Sequence, residues 1–508
     1  MSQHATPPRP DDNASFSVGL AEAVDPLVMA LDVGSTGSRG GLHDATGTPV
    51  RGYRHKIEHE FSTGADGTSV IDPDQVTEEL AAILDLVLAD PALAGRVAGV
   101  ALDTFASSLV GVGDDDGALT PCFTYADSRC AEQLAALRAE LDESSVLQRT
   151  GTRLHTSYLA PRLRWIRETD PRTWARARRW MSLGEYVHLR LLGSAYAGTA
   201  TAAWTGLLDR RTGRWDEQLL LSCGLAPGQL SPVLDPHEPI PDVADSAARR
   251  WPALQGAHWF APVADGLSAN LGSGGADAST LVVSAATSGA ARVLLHAIPE
   301  RVPGGLWCYR VDARRCLLGG ALNDVGRAIG WLGSTVRLPE GATLQDVAEA
   351  EVAEGTPVVL PFFTGERSTG WAGGARAVLA DVTAAATGAD LARGVLEGVA
   401  VSYARVADQL EDVAGGVQRV VASGSASQDV PGLMQILADT LGKPVARAEF
   451  KRATLRGTAL LALETLAPEV ERARPPYGPG RAPVPERAGH YAAVRARFEE
   501  LYGAVVAP

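Results

Sequence analysis

Apolar positions in this chain follow two rhythms, and the polar chemistry sits where a rhythm breaks. Val28, Met29, Ala30 and Leu31 form an apolar run of strand length that stops at Asp32. Val33-Gly34-Ser35-Thr36-Gly37-Ser38-Arg39 follows, and the run resumes at Gly41-Leu42. Two short runs around a Gly-containing turn predict a β-hairpin. Val76, Leu80, Ile83, Leu84 and Val87 recur at helical spacing and predict a helix over 73–89. Strands are predicted at 97–102 and 109–112, and helices at 131–141 and 161–168. The same logic then returns about 250 residues later. A strand at 281–284 breaks into Ala285-Ala286-Thr287-Ser288-Gly289 and resumes at 291–295. A long helix (387–410), a strand (419–422), the loop 423–427 and helices at 430–441 and 455–464 complete this block. Residues 474–488 are rich in Pro, Gly and Arg and read as a linker before a terminal helix at 491–502. The repeated strand–turn–strand predicts two similar α/β domains.

Length agrees, because 508 residues exceed what one ordinary core organises. No apolar run reaches the roughly 20 residues that span a bilayer. The first residues, up to about 26, are polar and lack a basic start followed by an apolar stretch. They read as a disordered extension, not a secretory signal. Five cysteines (Cys122, Cys130, Cys223, Cys308, Cys316) are an odd number without CxxC spacing. A disulfide framework and a zinc site are therefore not expected, and a cytoplasmic location is. Acidic side chains outnumber basic ones, 60 to 46, and no basic stripe stands out. That argues against nucleic acid and anionic membrane as partners, but not against a small anionic substrate.

The turn at 34–39 offers backbone N–H groups, three hydroxyls and Arg39, which is chemistry suited to phosphate oxygens. Asp32 at the strand end is suited to orient Mg²⁺ through water. The alternative is an ordinary hairpin whose hydroxyls serve their own backbone.

Further motifs bring in a family resemblance. Asp32-Val33-Gly34-Ser35-Thr36, Thr124-Tyr125-Ala126-Asp127-Ser128-Arg129, Val263-Ala264-Asp265-Gly266 and Ala286-Thr287-Ser288-Gly289 occur in the order of the motifs of FGGY carbohydrate kinases. Gly365-Glu366-Arg367, Leu396-Glu397-Gly398-Val399, the run 435–445 and Gly457-Thr458-Ala459 extend the likeness over about residues 27–467. The resemblance implies an α/β chain of two ribonuclease-H-like (actin-like ATPase) domains with an interdomain catalytic cleft. It implies a sugar-side domain at 27–270, an ATP-side domain at 271–470 and a linker with terminal helix at 471–508. Asp265 is then the general base that takes the proton of the attacking hydroxyl; its alternative is a turn-capping aspartate before Gly. Gly34, Ser35, Thr36 and Arg39 would cradle phosphates from the first domain, and Thr287 and Ser288 from the second. Asp32 would orient the metal. Gly424 and Ser425 would pass under the adenosine, or form a plain strand–helix loop. Gly320 and Gly326 would line the same pocket.

Thr104, Tyr125, Asp127 and Asp265 are the substrate-side candidates, with Asp127–Arg129 as either a sugar contact or an internal pair that fixes its loop. His155 is open between the two roles. ATP and Mg²⁺ are the implied cofactors and a small sugar or sugar acid the implied partner, with a homodimer as an assembly the resemblance allows. Tyr125–Arg129, Gly151–His155 and Ser182–Tyr186 lean towards gluconate kinases, with pentulose kinases as the alternative. A degenerate, non-catalytic sugar sensor and an actin-like or chaperone ATPase are the more distant readings. Two departures stand out: Ala286 replaces the family's Gly, where a methyl would crowd the phosphates or forbid a positive φ. Ala106 and Ser107 stand where relatives carry a usual sugar contact.

Overall fold

The computed structural model describes residues 16–353 and 355–506. The chain divides into two compact units. The first comprises the described residues up to Gly272 with Arg310–Ala313 and Phe450–Pro476; the second comprises Ser273–Tyr309, Arg314–Glu449 and the chain from Tyr477 onward.

In the first unit, β1 (Leu27–Gly34), β2 (Gly37–His43) and β3 (Pro49–Ile57) form an antiparallel meander. β4 (Val97–Thr104) joins β1 in parallel, and two short strands, β5 (His258–Trp259) and β6 (Val263–Ala264), pair in parallel with β4. The apolar run at 259–263 is thus two strands rather than one. Phe260-Ala261-Pro262 separates them, and Pro262 has no N–H to give a ladder.

Alternation along β1 sorts its side chains between two cores. Leu27, Met29, Leu31 and Val33 join Val76, Leu80, Ile83 and Leu84 of the helix Pro73–Val87. Val28 and Ala30 join Ala101 of β4 and Leu455, Ala459, Ala462 and Leu463 of the helix Ala453–Leu466. Small residues on that face let the helix lie close: a Cβ on Gly99 would meet Leu466 Cδ1 at 2.5 Å. This packing explains why Phe450–Pro476 belongs to the first unit, although 450–470 was expected within a second domain at 271–470 and 471–476 in the linker after it.

The N-terminal expectation changes as well. Residues 1–15 of the expected disordered extension lie outside the described residues, but 16–26 are tied down. Val18 bridges to Val50, and the Arg96 guanidinium donates to Asp25, to the Leu20 carbonyl and to the Ala23 carbonyl.

The second unit repeats the plan. β7 (Thr280–Ala285) and β8 (Gly289–Leu295) form an antiparallel hairpin, and β9 (Cys316–Leu322) extends it. β10 (Arg419–Ser423) joins β7 in parallel and β11 (Val445–Arg447) joins β10. The order β9-β8-β7-β10-β11 matches β3-β2-β1-β4-β5 of the first unit. Its long helix runs Gly388–Ala414, past the predicted end at 410. A capping box of Thr387 and Asp390 starts it, and Gly415 at φ 65° ends it. The terminal helix Ala488–Val505 buries Val494, Phe498 and Tyr502 against Val401, Leu360 and Phe362. Glu366 is enclosed there, accepting from Arg405 at 2.8 Å and from the Tyr502 hydroxyl at 2.6 Å. All five cysteines are buried and none is in a disulfide. Among the described residues, no helix is long and apolar enough to cross a membrane.

Candidate active site

Three neighbouring parallel strands of the first unit each lead to an aspartate. Asp32 of β1 lies beside Asp103 of β4 in the ladder. Ala264 of β6 pairs with Thr104, and Asp265 follows at once as the first residue of the helix Asp265–Gly272. Asp32 and Asp103 continue the small-residue faces Val28-Ala30 and Gly99-Ala101, so both turn towards the helix Ala453–Leu466. Two threonines one turn apart on that helix meet them. Thr454 Oγ1 donates to Asp32 Oδ2 at 2.7 Å, and Thr458 Oγ1 donates to Asp103 Oδ2 at 2.5 Å. Burial, then the charges of Asp32 and Asp265, push the Asp103 carboxyl well above the usual carboxylate range; the Thr458 hydrogen bond opposes them. Asp265 is half-buried and begins a helix, where the backbone dipole favours negative charge.

The β1–β2 turn is held from both sides. Arg39 lies opposite Asp32 across the hairpin and reaches back along it, with Nη1 3.0 Å from Asp32 Oδ2 and Nη2 3.3 Å from Thr36 Oγ1. Arg39, expected to grip phosphate, is therefore committed to shaping the turn. The Gly34 carbonyl accepts from His59 Nε2 at 2.9 Å. His59 Nδ1 lies 2.7 Å from Glu79 Oε2, and Glu79 also accepts from Ser38 and Gln75. Burial works to raise the Glu79 carboxyl, but the hydrogen bonds from His59, Gln75 and Ser38 outweigh it and hold it below the usual range. Ser35 and Thr36 are left exposed at the tip, beside a recess of about 280 Å³ lined by Thr36, Lys56, Glu58, His59 and Glu60.

The β7–β8 turn of the second unit has the same character. Thr287 and Ser288 are exposed, while the carbonyls of Ala286 and Thr287 accept from the N–H groups of Val325, Gly326 and Arg327. Gly326 is required by this contact, since a Cβ there would lie 2.7 Å from Ala286 O. Ala286 is not among the positive-φ residues, so the departure from Gly carries no backbone strain.

Two glycines expected at the nucleotide have other reasons. Gly320 lies in mid-strand in β9, where a Cβ would press on Val406 and Ser368, so it is a packing glycine. Gly424 has φ 100°, and a Cβ on it would lie 2.3 Å from Ala285 O; its close approach is to β7. Ser425 precedes the short helix Ala426–Asp429 and makes no side-chain cap.

On the sugar side, Thr104 is buried at the end of β4 and Tyr125 is 44% exposed, its ring edge-to-face with Phe105. Asp127 is enclosed. Its carboxylate accepts from the Ser69 N–H at 3.0 Å and from Arg129 Nη2 at 2.7 Å, and Arg129 stacks on Trp165 at 4.5 Å. The Asp127–Arg129 pair is thus spent on its own loop, because every carboxylate oxygen faces inward donors. His155 likewise serves a local turn through Ser157. Asp103, His59, Glu79, Thr454 and Thr458 were not singled out from the sequence. Asp103 could have been, because it ends an apolar strand just as Asp32 does.

Comparison with known proteins bears on the whole chain. Residues 27–272 match the N-terminal domain model of the FGGY family of carbohydrate kinases, and residues 281–465 match its C-terminal domain model. The chain belongs to the FGGY family of carbohydrate kinases. Among its relatives are the gluconokinase of Bacillus subtilis (22% identical over 450 residues, 86% of this chain and 87% of the relative) and the xylulose kinase of Staphylococcus xylosus (21% over 439 residues, 86% and 90%). Among solved structures, the gluconate kinase of Lactobacillus acidophilus superposes with a TM-score of 0.87 at 22% identity, covering 95% of this chain and 98% of that one. FGGY kinases use ATP and are phosphotransferases, and the fold is the two-domain actin-like one.

The His59–Glu79 brace yields a prediction. His59→Phe removes the donor to Gly34 and takes one hydrogen-bond partner from the buried Glu79 carboxylate, leaving it Ser38 and Gln75. The expected cost is about 1–3 kcal/mol in stability, read by thermal unfolding, with kcat/KM for ATP falling about tenfold. His59→Gln keeps one donor and is expected to recover part of the kcat/KM loss.

Proposed function

We propose that this kinase transfers the γ-phosphoryl group of ATP to the terminal hydroxyl of a small open-chain sugar acid, turning gluconate into 6-phosphogluconate. The observation behind the transfer step is Asp265, a half-buried carboxylate at a helix start, beside Asp103 and Asp32. Phosphoryl transfer asks little covalent work of a protein; it asks for alignment, charge neutralisation and a group to take the hydroxyl proton. Asp265 takes that proton. The exposed hydroxyls of Ser35 and Thr36, and of Thr287 and Ser288 on the second unit, hold phosphate oxygens. Asp32 has Oδ2 occupied by Arg39 and Thr454, which leaves Oδ1 for a Mg²⁺ ion or its water. Mg²⁺, when bound, neutralises charge on the transferred phosphate.

Support for gluconate comes from the Tyr125–Arg129 run and from relatives named gluconokinase. One observation favours a second reading, a pentulose: the Arg129 guanidinium is committed to Asp127 and Trp165, so it offers no free fork to a substrate carboxylate. The absence of strain at Ala286 speaks against a degenerate sensor. ADP release over gluconate, xylulose, ribulose, pentitols and glycerol tests the choice. The expected result is strongest stimulation by gluconate; a large response to a ketopentose with none to gluconate overturns it.

A further inference from the structure

Asp103 is a fully buried acid of which the proton transfer above makes no use. Only one of its oxygens is served by a donor. Oδ2 takes the Thr458 hydroxyl, whereas Oδ1 is enclosed with no N–H or hydroxyl donor, and the Asp103 carboxyl lies against that of Asp32, which it can hydrogen-bond only through a shared proton. A buried carboxylate oxygen left this way is costly unless something positive comes to it. Its ladder neighbour is in the same condition. The hydrogen bonds that Asp32 accepts from Arg39 and Thr454 land on Oδ2, and its carboxyl also hydrogen-bonds that of Asp103. Two adjacent acids thus each keep one oxygen satisfied by a donor and otherwise face each other, a contact that a shared proton or a cation must settle. The satisfied oxygens are both set by one helix, through Thr454 and Thr458. Thr458 is itself fixed by Ser268 Oγ at 2.8 Å, on the helix that Asp265 begins. Among the described residues no group of three or more His, Cys, Asp or Glu side chains is arranged as a metal site. A pair of carboxylates completed by water and phosphate oxygens is, however, how Mg²⁺ is commonly held.

We propose that Asp103 is a second carboxylate for the divalent cation, which takes the place of the proton between Asp103 and Asp32, and that Thr454 and Thr458 are positioning residues that present the two carboxylates. This rests on the phosphoryl-transfer reading. It adds a ligand and a positioning helix that come from outside the phosphate turns.

The test is Mn²⁺ binding by the full-length protein without nucleotide or sugar, read from the electron paramagnetic resonance of free Mn²⁺. Wild type is expected to take up one ion that Mg²⁺ displaces. Asp103→Asn is expected to weaken it at least tenfold and Thr458→Val several-fold, with Thr458→Ser restoring it. Thermal unfolding guards against misfolding. In chelator, Asp103→Asn should melt at or above wild type, because a repulsive charge is gone; added Mg²⁺ should raise the wild type only. Unchanged Mn²⁺ affinity in Asp103→Asn overturns the proposal, as does a wild type that binds no ion because the two acids share a proton. If the ion binds and depends on Asp103 while no sugar stimulates ADP release, the functional reading fails and the cation site stands. If sugar-dependent ADP release is intact but Asp103→Asn leaves Mn²⁺ affinity untouched, the reverse holds.

Discussion

Replacing Asp265 with Asn is expected to lower sugar-dependent ADP release by about 10²–10⁴-fold, the range a positioned general base supplies. The amide keeps the shape and can still hydrogen-bond the attacking hydroxyl, but it cannot take its proton. Binding should survive. The turns proposed to hold phosphate are built by other residues: Arg39, His59 and Glu79 brace one, and the N–H groups of Val325, Gly326 and Arg327 brace the other. The KM for ATP is therefore expected to change less than threefold while kcat collapses, the pattern of an interaction made in the transition state. Stability should hold or rise slightly, since Asp265 is one of the charges pressing on Asp103. Steady-state kinetics, nucleotide titration and thermal unfolding on the same preparation separate these effects. Near-normal turnover removes Asp265 from the role of base.

What could be read from the chain alone, and what could not, follows from how far each contact reaches along it. The hairpin turns were legible because strand, turn and strand are contiguous, and the aspartate before each change of rhythm marks a strand end. The repeat of the hairpin was legible for the same reason. The partners of those aspartates were not. Thr454 lies 422 residues from Asp32, and Thr458 lies 355 residues from Asp103. Nothing in a helical run such as Leu455–Leu463 says which sheet it covers. Asp103 ends an apolar strand with no turn motif behind it to mark it. Its own equivalence to Asp32 is a matter of ladder register. Gly320 and Gly424 illustrate the opposite error. A glycine near a nucleotide motif invites a ligand explanation, yet the atoms that forbid a side chain are Ser368 and Val406 for one and the Ala285 backbone for the other. Asp127–Arg129 was left open between sugar contact and loop brace, and burial favours the brace.

The largest structural effect is expected at Gly457. It sits in mid-helix, where glycine costs about 0.5–1 kcal/mol relative to alanine, so propensity alone says that Gly457→Ala should stabilise. Packing says otherwise. A Cβ on Gly457 would lie 1.8 Å from the Ser268 carbonyl oxygen, and across the same contact a Cβ on Gly272 would lie 1.8 Å from that of Ala453. Both obstacles are backbone, which no rotamer change relieves. The helices Asp265–Gly272 and Ala453–Leu466 must therefore separate, which strains a close-packed interior by about 1–3 kcal/mol and often more. They also carry the residues proposed for the chemistry, with Asp265 beginning one and Thr454 and Thr458 on the other, so separation moves the proposed base and loosens both acids. Gly457→Ala should lower the melting temperature by several degrees and reduce kcat about 10²-fold or more. Gly330→Ala is the matched control: Gly330 is exposed in the helix Gly326–Thr335, with nothing within 4 Å of its Cβ position. There propensity acts alone, and a gain of about 0.5–1 kcal/mol with unchanged kcat is expected. If Gly457→Ala instead behaved like Gly330→Ala, the two helices would not be in backbone contact, and the route by which Thr458 holds Asp103 and Ser268 together would be lost with it.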